Sequence, residues 1–200
     1  HVAQEGSLAI SGLTIDGKGF ELDSDGKIVT DADGNPIFGE YSHHAGIVSW
    51  GNLTVDAVGF ENIAAHNKYN GIGVAVLGGY GEVANSTFEN IARIGALYKY
   101  MGLQWGNETL PATTGLFDNN IYVGKGEGEW LDYGVEAGAG AVVEISNSKF
   151  SKIGGVAHDD SGSAAILAST FYGDGTSVSI HGNSFTEASQ GVHIGTIGWG

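Results

Sequence analysis

Apolar residues recur along this chain as a spaced pair: one apolar position, four variable residues, then Phe or Ile. Six copies can be laid out: Ile10 to Ile15, Val55 to Phe60, Val83 to Phe88, Leu116 to Ile121, Ile145 to Phe150 and Ile180 to Phe185. Two residues after each first member stand Gly12, Ala57, Asn85, Asp118, Asn147 and Gly182. All but Ala57 are of the types that best tolerate a left-handed backbone. Two residues before each first member stand Leu8, Leu53, Gly81, Thr114, Val143 and Val178, mostly apolar, as period-2 alternation with one buried face requires. Each copy therefore predicts strand, sharp corner, strand. Between copies falls a short apolar run opened by a small residue: "GIVSWG" from 46, "GVAVLG" from 73, "GLQWG" from 102, "GVEAG" from 134, "AAILA" from 164 and "GVHIG" from 191. This predicts a third strand in every round.

The spacing is uneven, from 28 residues between Val55 and Val83 to 45 between Ile10 and Val55. A solenoid tolerates such scatter, because one coil can bulge a loop outward without disturbing the next. The expected fold is all-β: a right-handed parallel β-helix over residues 1–200, six to seven coils of three short strands. The Phe and Ile positions would stack inside it, with coils about 4.8 Å apart. An antiparallel β-sandwich also gives short strands and Gly-rich turns, but it leaves the repeated Phe-plus-Asn register unexplained.

The stretches "GSLAISGLTIDG", "GNLTVDAVGFENIA" and "VVEISNSKFSKIG" resemble coils of the pectate-lyase-like β-helix superfamily, and especially the extracellular right-handed β-helix repeats of bacterial and archaeal surface proteins. The resemblance covers most of the chain. It implies the fold, and it implies a polysaccharide lying along a groove beside one sheet. It does not specify an activity, since lyases, hydrolases, epimerases, adhesins and inert stalks share the fold.

Composition narrows the classes. The chain carries 35 Gly and only 2 Pro, which argues against long helices and for many tight corners. A net charge of −15 repels phosphate backbones and argues against nucleic acid, while it suits a secreted protein that attracts divalent cations. There is no Cys, so no disulfide, thiolate metal site or Cys nucleophile is available. No apolar run approaches the length of a membrane-spanning helix, so no membrane insertion is expected. The chain opens on His1 and neither end reads as a capping helix. We therefore expect a slice of a longer solenoid, or end-to-end association with neighbouring copies of a surface protein.

Function on such a scaffold belongs to the loops. Residues 16–44 read as an acidic, hairpin-like insertion, and 95–113 and 124–133 as loop insertions. In the first, Asp23, Asp25, Asp31 and Asp33 are hard oxygen ligands at short spacing that would suit Ca²⁺, although the pattern is not an EF-hand. Segments just before the third strands, "YSHH", "HNKYN", "YKYM", "EWLDY" and "HDDSG", would stack onto one edge. That edge would hold Tyr41, His43, His44, His66, Tyr69, Tyr98, Tyr100, Trp130, Tyr133 and His158, whose rings could stack on sugar faces. Within the third strands, alternation points Val74, Val76, Leu103, Val135, Val192 and Ile194 inward. It points Ala75, Gln104, Glu136 and His193 outward, with Ile166 in the same outer column. Glu136 and His193 would lie two coils apart, roughly 10 Å.

For catalysis the candidates are His158, Asp159 and Asp160, with Glu136: paired carboxylates can serve as general acid and base on a glycosidic bond. The Gly-His-Gly and Arg-x-Lys motifs of the polygalacturonase branch are missing. Lyase-type elimination asks for an Arg or Lys base, and neither Arg93, the sole arginine, nor any lysine stands in a telling place. The sequons at Asn52, Asn85 and Asn107 lend weak support to secretion. The expectation is thus an extracellular or cell-surface β-helix module with a structural or adhesive role, binding glycan along an aromatic edge through Tyr69, Tyr98, Tyr100, Trp130, Tyr133, His66 and His193. The alternative is a polysaccharide lyase or glycoside hydrolase.

Overall fold

Six residues in left-handed backbone set the corners of the molecule: Gly12, Ala57, Asn85, Asn119, Asn147 and Gly182, with φ between 51° and 67°. A computed structural model, which describes residues 5–101 and 111–196, shows what they connect. The chain winds as a right-handed parallel β-helix of six coils, each adding one strand to each of three six-stranded parallel sheets. Sheet 1 holds β1 (Ser7–Ser11), β4 (Asn52–Asp56), β7 (Tyr80–Ala84), β10 (Thr114–Asp118), β13 (Val142–Ser146) and β16 (Ser177–His181). Sheet 2 holds β2 (Thr14–Asp16), β5 (Gly59–Ile63), β8 (Thr87–Ile91), β11 (Ile121–Gly126), β14 (Lys149–Ile153) and β17 (Ser184–Ala188). Sheet 3 holds β3 (Ala45–Ser49), β6 (Ile72–Val76), β9 (Ile94–Lys99), β12 (Tyr133–Gly138), β15 (Ala164–Ser169) and β18 (Val192–Gly195).

The expected repeat is present, with its fourth copy displaced by one residue. In register with Ile10, Val55, Val83, Ile145 and Ile180 stands Phe117, not Leu116. In register with Ile15, Phe60, Phe88, Phe150 and Phe185 stands Tyr122, not Ile121. Phe117 and Tyr122 are buried, whereas Ile121 is exposed. The corner decides this phase. Asn119, rather than Asp118, takes the left-handed position, and its Nδ2 donates to Asn85 Oδ1 at 2.6 Å, while Asn85 Nδ2 donates to Asp56 Oδ1 at 2.6 Å. A carboxylate cannot donate, so Asp at that place would break the ladder.

The aromatic column of sheet 2 explains the small residues that open the third strands. Phe60 and Phe88 stack at 4.8 Å, and Phe150 and Phe185 at 5.5 Å. Opposite these rings Gly73, Gly95 and Gly134 run up sheet 3, and a Cβ on Gly95 would lie 2.5 Å from Gly134 O and 2.8 Å from Tyr122 Cδ2. The core is wide enough for a ring only where the facing strand has no side chain. Gly95→Ala should therefore lower stability by about 1–3 kcal/mol through overpacking, read as a shift of the urea midpoint. An unshifted midpoint would show that the facing strands can part to admit the methyl.

Two expected elements fall differently. The third-coil strand of sheet 3 is β9, "IGALYK", and "GLQWG", with Leu103 and Gln104, lies outside the described residues, as does Asn107. The stretch 95–113 thus opens inside a strand, because Ile94 and Ala96 pair with Ile72 and Val74. Of 124–133, β11 takes the residues to Gly126, β12 begins at Tyr133, and only 127–132 bridges them. Ile166 also faces inward: it pairs with Val135 and Val192 and is fully buried, so the outer position of that coil belongs to Leu167. In the acidic segment, antiparallel bridges Leu22↔Ile28 and Thr30↔Pro36 form two tight turns in tandem, and Phe20↔Phe38 joins them at the base. The two rings stack at 5.7 Å, and the pair packs with Ala64 and Ala92.

Candidate functional site

The middle strands of sheet 3, β6, β9, β12 and β15, are buried on both faces, while the end strand β18 is partly exposed. The inner side of the sheet joins the main core, and its outer side carries a second apolar cluster that includes Ala75, Ile94, Leu97, Tyr133, Ala157 and Leu167. The outer column, coil by coil, is Val48, Ala75, Leu97, Glu136, Leu167 and His193. Loops preceding the strands cover part of this face, and the loop after β15 brings Phe171 and Tyr172 up on the other side. Between them a cleft of about 250 Å³ is lined by Arg93, Tyr133, Glu136, Asp159, Leu167, Phe171 and Tyr172, among others. A second hollow of about 220 Å³, reaching to His44, Tyr69 and Leu97, shares Arg93 and Tyr172 with it. The two hollows adjoin at Arg93 and Tyr172, and their linings draw on strands of successive coils, so together they mark out a groove along this face.

Its floor is charged. Glu136 is 1% exposed. Its Oε2 and the Nε of Arg93 are both buried without a hydrogen-bond partner among the described residues. Burial pushes the Glu136 carboxyl up, against the opposing pull of Arg93 and then Lys99. Burial likewise pulls the Lys99 amine down, against Glu136. The Tyr133 hydroxyl is pushed up to about 12, mainly by burial, and donates to Gly162 O at 3.2 Å. Arg93 lies over the Tyr133 ring at 5.5 Å, and Lys99 Nζ over the Tyr172 ring at 3.5 Å.

The raised Glu136 pKa has a thermodynamic signature. The stability this group contributes is fully present below the ordinary glutamate range, about 4.3, where it is protonated in both states. It is lost as pH rises through the elevated folded value. Glu136→Gln removes that loss. The variant should therefore melt above the parent at neutral pH, with the gap closing on acidification. Paired thermal melts across that range check it, and a gap independent of pH would contradict it.

Of the expected site residues, Glu136, Tyr133 and Asp159 meet in the cleft. His158 and Tyr69 meet at its margin, where Tyr69 Oη donates to Glu129 Oε1 at 3.0 Å and lies 3.3 Å from His158 Nδ1. Lys68 pairs with the same Glu129 at 3.1 Å. The "HDD" run sits on a tight turn closed by the Ala157 N–H donating to Ser161 O at 2.8 Å. Asp160 takes left-handed backbone at φ 65° and does not line the cleft, while Asp159 Oδ1 accepts the Ser161 N–H. His193 stands two coils from Glu136, as alternation predicts, with Nδ1 2.6 Å from Gln190 Oε1.

Two expected ring contacts are corrected. Tyr98 is fully buried and faces the core, where its Oη donates to Leu116 O at 3.1 Å and its ring fills the room left by Gly115. Trp130 is buried in its own loop, with Nε1 donating to Gly126 O at 3.0 Å. Neither ring can stack on a sugar. Tyr100 lies just past β9 and His66 near Phe38, outside the cleft lining. In the acidic turns, Asp23 Oδ1 accepts the N–H groups of Asp25 and Lys27, and Asp31 Oδ1 those of Asp33 and Asn35. Those carboxylates serve their own turns. Among the described residues no group of three or more His, Asp or Glu is placed to hold a metal.

Sequence reasoning missed Arg93, Lys99, Phe171 and Tyr172. Lys99 was legible, because it ends the alternating run "IGALYK". Arg93 and the "TFYGDGT" loop carry no local signal, since they reach the cleft through loop geometry. Both described sequon asparagines are engaged: Asn85 in the corner ladder, and Asn52 through Oδ1 accepting the Tyr80 N–H at 3.0 Å. No family model, curated protein or solved structure matches the chain.

Proposed function

We propose that this β-helix is an extracellular or cell-surface module that holds a glycan in the groove along the outer face of sheet 3. One observation carries the reading: the groove crosses successive coils, with aromatic side chains on its walls and hydrogen-bonding groups on its floor. Rings over apolar floor suit the C–H faces of sugars, and groups such as Glu136, Arg93 and Ser161 suit their hydroxyls. The acidic composition agrees with secretion, as does the resemblance to β-helix surface proteins and their pectate-lyase-like relatives. The test is glycan-array binding followed by titration. Tyr172→Ala should weaken any glycan found by about tenfold or more while leaving the melting temperature little changed. Binding that ignores this substitution would rule the groove out.

A second reading is catalytic, favoured by two carboxyls, Glu136 and Asp159, lining one cleft, the first of them raised by burial. Glu136 would then be the general acid and Asp159 the base of a polysaccharide lyase or hydrolase. Release of reducing ends, or of unsaturated products seen by their absorbance, would decide for it. Loss of that turnover in Glu136→Gln would tie it to this cleft.

A further inference from the structure

The floor of the cleft carries two unmet demands of opposite kind. Glu136, as a carboxylate, only accepts hydrogen bonds; Arg93, as a guanidinium, only donates them. Each has a buried polar atom that no group among the described residues satisfies. Buried polar atoms in folded proteins are almost always partnered, so an unpartnered pair at the floor of one cleft points to a ligand that completes both. Elsewhere the chain shows that it can satisfy a buried charge. Lys125 Nζ donates to Ile91 O at 2.8 Å, to Leu131 O at 3.2 Å and to the Asp132 carboxylate.

We propose that the cleft selects a neutral sugar, held by one hydroxyl that donates to Glu136 and a neighbouring oxygen that accepts from Arg93. The inference rests on the glycan-binding reading and narrows its ligand class. A vicinal diol donates and accepts side by side. A uronate carboxylate only accepts: it would serve Arg93, leave Glu136 unpaired and set a third negative charge beside Glu136 and Asp159. An amino sugar's ammonium only donates and would sit against Arg93 and Lys99. The cations are also already engaged, Arg93 on the face of Tyr133 and Lys99 on the face of Tyr172. Neither forms an ion pair with Glu136 among the described residues. The cleft lining therefore holds two acids, Glu136 and Asp159, against one base, Arg93, with no surplus cation to draw an anion onto a chain of net charge −15. Leu167 and the exposed ring of Phe171 supply apolar surface for the sugar's C–H face.

The experiment uses the full chain and calorimetric titration near neutral pH. The probes are neutral hexasaccharides of glucose, mannose and xylose, with hexagalacturonate and hexamannuronate beside them. At least one neutral oligomer should bind about tenfold or more tightly than either uronate. That binding should fall by a similar factor in Glu136→Gln and in Arg93→Lys, each checked for an intact melt. Uronates binding as well as every neutral oligomer would overturn the inference and leave the glycan reading standing. Neutral binding untouched by both substitutions would overturn it too, by placing the sugar elsewhere. No binding by any of the five would overturn the inference together with the reading beneath it.

Discussion

Lys125→Met should destabilise the β-helix by about 3–5 kcal/mol, the loss expected when one partner of a buried ion pair is removed. Lys125 and Asp132 side chains are 2% and 0% exposed. The ammonium is caged by the carbonyls of Ile91 and Leu131 and by Asp132 Oδ1. Asp132 in turn accepts the Tyr122 hydroxyl at 3.2 Å and the Lys125 N–H at 3.1 Å. Methionine has the volume but no charge, so the carboxylate would stay in the core with its counter-ion gone. Burial already pulls the Lys125 amine down, opposed by Asp132, which marks the pair as costly to desolvate and dependent on mutual attraction. For a domain of this size the drop in Tm would be roughly 6–20 °C. The double variant Lys125→Met, Asp132→Asn removes the stranded charge while keeping an acceptor for Tyr122, and it should recover much of the loss. A single-variant loss under about 1 kcal/mol, or a double variant no better than the single, would mean that water reaches the pair.

That pair also shows what the sequence could and could not reveal. Lys125 and Asp132 lie in "KGEGEWLD", which reads as a polar surface loop, and nothing local says that it folds inward across sheet 2. Ring residues were ambiguous in the same way. Tyr98 and Trp130 look like edge aromatics until one sees that Gly115 makes room for the first and the 127–132 loop wraps the second. The coil architecture was legible because its determinants are periodic: Phe60, Phe88, Phe150 and Phe185 at one place in the coil, and Asn85 and Asn147 at the corner. The one-residue slip at Leu116 arose because "TGLFDNNIY" has apolar residues at both Leu116 and Phe117, and again at Ile121 and Tyr122. Alternation alone is degenerate there, and the amide ladder through Asn119 resolves it. Glu136 was read correctly as outward-facing, because side-chain direction in a strand is a parity. That it is nevertheless buried follows from loops distant in sequence, the same reason that Arg93, Phe171 and Tyr172 escaped notice.

Phe88→Ala should cost about 3–5 kcal/mol, while the same change at Phe185 should cost far less. Both residues occupy the same place in the coil, in register along sheet 2. They differ in how much of the stack surrounds them. Phe88 is fully buried, 4.8 Å from Phe60, 5.8 Å from Phe117 and 6.5 Å from Tyr122. Phe185 is 38% exposed and has a ring neighbour on one side in Phe150. Truncating Phe88 leaves a cavity bounded by rings on both sides and by the backbone of Gly73, which has no side chain to relax into it. Truncating Phe185 removes contact on one side only and opens to solvent rather than to a void. In a solenoid each coil is held mainly by its neighbours, so a fault at Phe88 weakens two interfaces and one at Phe185 weakens one. The contrast is measured by chemical denaturation of the two variants against the parent. Equal losses would mean that rings contribute independently of the coils stacked on them, and the collective core that makes sheet 3 a rigid floor for its groove would have to be abandoned.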